Sequence, residues 1–577
     1  MDSAFQRFTA RLHSNFEWSR RQQSHFLQKR MAILRQMAGR HYGNNVCKER
    51  VPKNYLGLFV IIYSRMLASR NPACMIETTD LRLRPVAKGT QIWANDRFRE
   101  SGLEKILQRW AIDALTYNVG MIKVCDELDA TGDYAEPYID TIDPERFCWD
   151  MQATLWHEAQ YAAHRYRFIK EDMLKAEGAR PDRIMKLAPE VPSAQNEMGE
   201  EKTVSLSQDG TAQENLYDEH EAWEFYLPRE NLLVSYPISG QTLDPKPIRV
   251  KEYRGPRGRE CPLGPFHPLV FNEMPGNLMG IPPCHMIYDL HMAINRIVRK
   301  LLRQAEEQKD NILVHTVNRA DADALKRARD GEILTVSDPK GFERHRSNGP
   351  DQQNIAFDMM LRQAINLFGS NFETIGGAGL AAPTATQETL LDANANKQLQ
   401  FMQGEMLSRT REVMRSLIYY DWMSRRRMNY EMPVEGMPGM TVPWSVRPEQ
   451  RPPQAFSQMN LTPHPYSMRP VTPEMRLAQM TALFTEALQA APLLAQQGWM
   501  LDFGRYFQKK AEYMQFVDAD EIIRFVPQDP TQQPPQEGQA APRVRPPGVG
   551  QYTRTSVSGP EDQNQQILSM ADTGDAA

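Results

Sequence analysis

Long hydrophobic runs are missing from this sequence. The most apolar stretch, "YLGLFVIIYSRMLA" at 55–68, falls short of the roughly 20 residues that a bilayer-spanning helix needs, and reads as a buried helix. The opening residues, "MDSAFQRFTARLHSNFEWSRRQQ", lack the apolar core of a secretory leader. Cysteine is scarce. The six present (Cys47, Cys74, Cys125, Cys148, Cys261 and Cys284) are scattered and form no CxxC pair. Neither a zinc ribbon nor a disulfide scaffold is expected, and a reducing compartment fits. Charge of one sign is lacking too: 68 Lys and Arg stand against 72 Asp and Glu, a formal net charge of -4. That balance argues against a protein that grips nucleic acid by bulk positive charge. It leaves open one that lets nucleic acid slide past. A soluble intracellular protein with no membrane partner is the expectation.

Catalytic and metal-binding spellings are absent as well. "HEAQYAAH" at 157–164 resembles a zinc-protease motif, but the second histidine should come four residues after the first, and here it is His164 after His157. The segment also reads as a strand, so a satisfied or exposed histidine pair is expected. Cys284, His285 and His291 are close in sequence, yet on one helix His285 and His291 would head about 240° apart. Asp140, Asp143 and Asp150 surround a strand end, where they could bind a cation, though turn capping explains them better. No nucleophile–base arrangement stands out. No enzymatic activity, metal or cofactor is expected.

Present are alternating blocks of helix and strand, an α+β pattern. Charged amphipathic helix is expected over 17–39, helix again over 54–69, and one or two helices over 86–120, stopped at Asn118-Val119-Gly120. Strands are expected in "GMIKVCDEL", "AEPYIDTIDP", "EAQYAAHRYRFI", "EAWEFYLP", "LLVSYP" and "HPLVFNEMP", with a polar excursion over 190–215. After Pro283 a helix-compatible run reaches to about 308, roughly 35 Å at 1.5 Å per residue. A small α+β patch follows, with strands "ILVHTV" and "EILTV", a helix in "RADADALKRARDG" and a turn-rich return "DPKGFERHRSNGPD". Another helix spans about 353–368, and long-helix material runs from Thr386 to about Arg415. A helical pair covers 473–517, and after Phe525 the Pro-, Gln- and Gly-rich tail cannot support a packed core.

Between the later two helices lies "GGAGLAAPTATQE", 376–388. It lacks the GxxxxGK[ST] spacing of a phosphate-binding loop. Gly376, Gly377 and Gly379 are better explained by conformational freedom. Thr384, with Gln387 three residues on, fits a capping box for the helix that follows. On the first long helix Arg296, Arg299, Lys300 and Arg303 make one side positive. Alone this is a solvated face; repeated around a ring it becomes bands of charge that pass a polyanion through weak contacts. No aromatics interleave with it, which argues against stacking of single-stranded bases.

The order of these segments resembles the portal proteins (head-to-tail connectors) of tailed bacteriophages, in the variety found in short-tailed phages. The resemblance covers roughly residues 20–425 and rests on "VPKNYLGLFVIIYSRMLASRNP", "AIDALTYNVGMIKVCDE", "PYIDTIDPERFCWDMQA" and "MMLRQAINLFGSNFETIGGAGLAAPTATQETLLDANANKQLQ". It implies a ring, commonly a dodecamer, at the portal vertex of the virion capsid, assembled in the host cytoplasm. Partners would be scaffolding protein, major capsid protein, the terminase large subunit, and head-tail adaptor or tail proteins. Double-stranded DNA would pass through the channel in packaging and ejection, with ATP hydrolysis left to the terminase.

Mapped onto this chain, the resemblance makes 1–280 an α+β wing, 281–311 a stem helix, 312–349 a clip and 350–368 the second stem helix. It makes 369–385 a tunnel loop, 386–472 a long wing helix with a return segment, 473–525 a helical crown, and 526–577 a disordered tail. Phe372, Glu373, Gly376, Gly377, Gly379 and Leu380 would face DNA in the tunnel loop, Glu373 opposing the phosphates. Arg296, Arg299, Lys300 and Arg303 become candidate channel charges, and Lys326, Arg327, Arg329 and Lys340 candidate clip contacts. Another oligomeric virion protein, such as a head-tail adaptor, is the alternative. A DNA-acting enzyme would need converging acids and a divalent ion, which the spacing does not provide.

Overall fold

The computed structural model describes residues 3–41, 50–128, 135–187, 219–239, 242–258, 261–314, 323, 326–327, 342–347, 349–369, 385–424, 427–433, 441–464, 468, 473–491, 503, 506–507 and 510. The chain divides into two compact units, Met1–Thr472 and Pro473–Ala577. Among the described residues no helix is long and apolar enough to cross a membrane. The polar excursion at 190–215 and the tail from 526 lie outside the described residues.

In the first unit, helix α1 (Ser3–Ala38) runs for 36 residues until Gly39, whose φ of 58° ends it while its N–H still bonds the Arg35 carbonyl. Its start lies well before the expected residue 17. Besides Phe5 and Phe8, these early turns carry Leu12 and Phe16, which join a buried cluster with Trp223 and Phe225 of a distant sheet, Phe16 meeting both rings edge-on. That tertiary contact, rather than local propensity, extends the helix. Arg30 on its inner face is buried and pairs with Asp113 at 3.3 Å and Asp143 at 3.1 Å. Helix α2 (Tyr55–Leu67) is the expected buried helix; Asn54 caps it by accepting the Gly57 N–H at 2.9 Å. Strand β1 (Cys74–Thr78) follows, and then α3 (Arg84–Glu100) and α4 (Leu103–Thr116) resolve as two helices broken at Gly102, φ 62°.

Two antiparallel sheets follow. Strands β2 (Gly120–Leu128) and β3 (Ala135–Ile142) pair directly. A Cβ on Gly120 would lie 2.6 Å from the Trp110 carbonyl, so the tight passage from α4 into β2 admits no side chain. Strands β4 (Phe147–Trp149) and β5 (Ala162–Ile169) begin the larger sheet, and α5 (Lys170–Lys175) and α6 (Pro181–Ile184) flank it. Strands β6 (Glu219–Leu227), β7 (Leu232–Ser239), β8 (Thr242–Leu243) and β9 (Arg249–Glu252) complete it in the order β4-β5-β6-β7-β8, with β9 also on β7. Strand β10 (Phe266–Leu269) returns to β2, giving β10-β2-β3.

Buried ion pairs join the sheets. Lys123 of β2 meets Glu224 of β6 at 2.6 Å, and Lys251 of β9 meets Asp126 of β2 at 2.9 Å. Burial pushes the Glu224 carboxyl up, but Lys123 and Arg249 outweigh it and bring it down to about 2. Burial would likewise lower the Lys123 ammonium, and Glu224 raises it instead.

The rest of the unit is dominated by helix: α7 (Pro283–Glu306), α8 (Gln352–Phe368) and α9 (Ala385–Met423), with strands β11 (Lys309–Val314) and β12 (Phe342–Ser347) between the first two. Helix α9 outruns its expected end because its last turns, with Leu417, Ile418 and Trp422, are core. Strands β13 (Met428–Pro433) and β14 (Thr441–Val446) pair, α10 (Pro453–Ser457) follows, and β15 (Met459–Pro463) pairs antiparallel with the distant β1. The main core gathers α2, α3, α4, α7 and α9 around residues such as Phe59, Trp110, Ile294 and Met414.

The second unit contributes α11 (Pro473–Gln489), the first helix of the expected pair. Phe484 stacks on Tyr506 with ring centroids 3.7 Å apart and meets Phe503 edge-on. The described remainder is a mixed α+β fold of helices and antiparallel sheets.

Candidate functional site: a clamped helical hairpin

Helix α7 starts at Pro282-Pro283, where a missing N–H costs nothing, and runs without Gly or further Pro to Glu306. Its fully buried side chains, Cys284, Ile287, His291, Ile294 and Asn295, end at mid-length, and beyond them Val298 still packs partly against the core. Asp351 caps the returning α8 by accepting the Gln353 N–H at 3.1 Å. Only Asp358 and Ile365 of α8 are buried. The two helices are antiparallel: the Asp351 N–H donates to Gln304 at 3.3 Å, and the Lys300 ammonium reaches Asn354 at 3.5 Å. Strands β11 and β12 continue the hairpin as a ladder running from Lys309 opposite Ser347 to Val314 opposite Phe342. The expected strand "ILVHTV" therefore begins earlier, and the segment read as a turn-rich return is its partner. "FERHRS" carries no apolar alternation, so its pairing is not announced by the sequence pattern. The expected strand "EILTV" lies outside the described residues.

A short segment before α2 holds the hairpin at mid-length. The Lys53 N–H donates to Asn295 Oδ1, and the Asn295 side-chain amide donates to the Lys53 carbonyl, both at 3.0 Å. The Lys53 ammonium lies 3.0 and 2.8 Å from the two Asp358 oxygens, and Arg362 shares that carboxylate at 3.1 Å. Lys53 thus grips α7 by its backbone and α8 by its side chain. Beneath it His291 is buried, and burial lowers its imidazole to about 4. At the upper end the Tyr63 hydroxyl of α2 donates to the Gly369 carbonyl at 3.1 Å, fixing the residue where α8 stops.

The outward faces of the two helices differ. At 3.6 residues per turn Arg296, Arg299, Lys300 and Arg303 lie within about 100° of one another on α7, as the sequence reading expects. They do not all stay open. Arg296 and Arg303 are exposed, Lys300 leans toward α8, and Arg299 donates to the Arg50 carbonyl at 3.0 Å. On α8 the two charges, Asp358 and Arg362, belong to the clamped side. Away from it stand Phe357, Met359, Met360, Leu367 and Phe368, at 46%, 60%, 65%, 75% and 52% exposure.

The other expected site residues divide. Lys326 and Arg327 are exposed, whereas Arg329 and Lys340 lie outside the described residues. So do Phe372, Glu373, Gly376, Gly377, Gly379, Leu380 and Thr384; the described chain resumes one residue after Thr384, at the start of α9. His157 is exposed, and His164 is carried on β5, its imidazole lowered to about 3 by burial and by Lys123. Cys284 and His291 are buried while His285 is exposed. Asp143 and Asp150 do cap turns: Asp143 accepts the Glu145 N–H at 3.2 Å, and Asp150 accepts the Gln152 N–H at 3.1 Å. Among the described residues no cluster of His, Cys, Asp and Glu could hold a metal ion.

Sequence reasoning missed Lys53, Asn295, Asp358 and Tyr63. One signal was present: Asp358 is the lone acid of α8 and sits in register with Asn354, Leu361 and Ile365, on the face that should be apolar. Compared with known proteins, the chain matches no family model, and no curated protein matches it in sequence.

Proposed function

We propose that this chain is a portal protein: copies close into a ring, a dodecamer, at one capsid vertex and form a conduit for double-stranded DNA. In this reading α7 and α8 are the stem, the β11–β12 ladder opens the clip, α9 is the wing helix and the segment after Gly369 is the tunnel loop. The ring docks the terminase large subunit in packaging and head-tail connector proteins afterwards. The chain itself performs no catalysis, and the motor supplies ATP hydrolysis.

The observation that carries the reading is the mismatch between the two outward faces. A monomer in water has little reason to project a helix whose exposed side, among uncharged glutamines, carries Phe357, Met359, Met360, Leu367 and Phe368 without a charge. Covering these side chains is worth roughly 1–1.5 kcal/mol each, while association costs about 4–15 kcal/mol in lost freedom. A single contact is therefore marginal. Closing a ring gives each copy two such contacts, and the basic arc of α7 then repeats around the circle.

Native mass measurement on the purified protein, with imaging, tests this directly. A species of about twelve 66.3 kDa chains with a central hole is expected. A monomer at the concentrations of assembly overturns the reading.

A further inference from the structure

A ring built head to tail needs two different surfaces on every copy, one on each flank, that fit each other. The exposed face of α8 is one. Copies related by rotation about an axis stand at the same height, so the counter-surface must lie level with α8 along the hairpin. The contacts of Gln304 with Asp351 and of Lys300 with Asn354 fix those levels. Counting back along α7 and forward along α8 at equal rise brings Met286 level with Phe368. Ile281 lies just before the helix at that end.

Both of those residues are open. Ile281 is 40% and Met286 43% exposed, although Leu367 and Phe368 stand at the same level of the same hairpin. The chain does not cover one pair with the other. The counter-surface is also built firmly. The Ile281 N–H donates to the Asn272 carbonyl at 2.9 Å, and the Asn272 side-chain amide returns a bond to the Ile281 carbonyl at 3.1 Å. Gly280 is packed so closely that an added Cβ would lie 2.4 Å from Val270. A stiff loop presenting an isoleucine beside a helix presenting a methionine loses little freedom on contact. Neither Ile281, Met286, Leu367 nor Phe368 brings a charge to be desolvated.

Resting on the ring reading above, we infer that Ile281 and Met286 of one copy receive Leu367 and Phe368 of the next. The subunit contact is then apolar and lies at the root of the hairpin, beside the stretch of α7 whose inner face is buried. The basic arc of α7 stays out of that contact.

Cross-linking between two full-length variants tests the pairing. One carries Met286→Cys, the other Leu367→Cys, and the two are assembled together and oxidised. The native Cys74, Cys148, Cys261 and Cys284 are buried, and each variant oxidised alone is the control. A denatured dimer twice the mass of the 66.3 kDa chain is expected from the mixture and not from either control. Rings of full mass without that dimer, or with equal dimer in the controls, overturn the pairing and leave the ring standing. Failure of the wild-type chain to form rings removes both. Leu367→Asp supplies a second readout, since an exposed position tolerates charge in the monomer. The native mass should fall to that of one chain, with the unfolding midpoint equal to that of the parent diluted to monomer; rings of normal mass would count against the contact.

Discussion

Helices α7 and α8 are neighbours of similar build that meet their surroundings in opposite ways. Helix α7 buries an apolar stripe with His291 and Asn295 in it, and turns Arg296, Lys300 and Arg303 outward. Helix α8 buries a carboxylate and turns phenylalanine and methionine outward. The inversion on α8 is stable because Lys53 neutralises Asp358 at 2.8 Å, so the buried acid needs no solvent. It teaches that polar bonds at Lys53 add to the apolar anchors Ile287, Ile294 and Ile365 in holding the hairpin to the body, while much of α8's apolar surface stays exposed. On the proposed ring reading, the basic arc of α7 would face a polyanion, and the apolar side chains of α8 would face a copy.

The comparison breaks most severely at Asp358. Asp358→Ala strands the Lys53 ammonium and the Arg362 guanidinium beside a helix that no longer answers them. A loss of about 2–3 kcal/mol is expected by urea denaturation, below the roughly 3–5 kcal/mol of a fully buried pair because Lys53 keeps some solvent. Hydrogen exchange should speed up in α8 before α7, because Asn295 still holds the Lys53 backbone. Equal acceleration in both helices would mean that the clamp is not divided between them.

Acid should act on the α7 side. An unfolded imidazole takes its proton near 6.5, whereas burial lowers His291 in the folded chain to about 4. Between those values the unfolded chain binds more protons, so the contribution of His291 is complete above pH 6.5 and is lost as pH falls toward 4. His291→Leu should flatten the slope of stability against pH across that window. His267, buried with neither ring nitrogen hydrogen-bonded among the described residues and lowered to about 3, will keep part of the slope. An unchanged slope in the variant would show that His291 does not titrate with unfolding.

Much of this hairpin is legible in the sequence. Helices expected after Pro283 to about 308 and over about 353–368 come close to Pro283–Glu306 and Gln352–Phe368, because Pro-Pro and Asp351 mark helix starts chemically. The basic arc was equally plain, since helical spacing alone decides which side chains share a face. What stayed hidden depends on distance along the chain. Strand β1 pairs with β15, Cys74 opposite Pro463, and neither "CMIET" nor "MNLTP" announces the other. Lys53 lies in a segment without period, and its partner Asp358 is three hundred residues away. A lone acid on an apolar stripe was visible, but its cation was not. The early half of α1 was missed for the same reason, since the sheet against which Leu12 and Phe16 pack forms far downstream.

The smallest effect on folding, and the sharpest test of the division, comes from Arg296 and Arg303. Both are exposed, so Arg296→Gln with Arg303→Gln should change stability by no more than about 0.5 kcal/mol and leave the native mass of the assembly alone. If the arc faces a polyanion, removing these charges lowers the salt dependence of duplex DNA retention in the ring, because fewer counterions are exchanged at each passing phosphate. If the arc is an ordinary solvated face, retention at low and high salt is the same in the variant and the parent. Loss of the ring itself would place the arginines in the contact between copies and reverse the tasks given to the two helices.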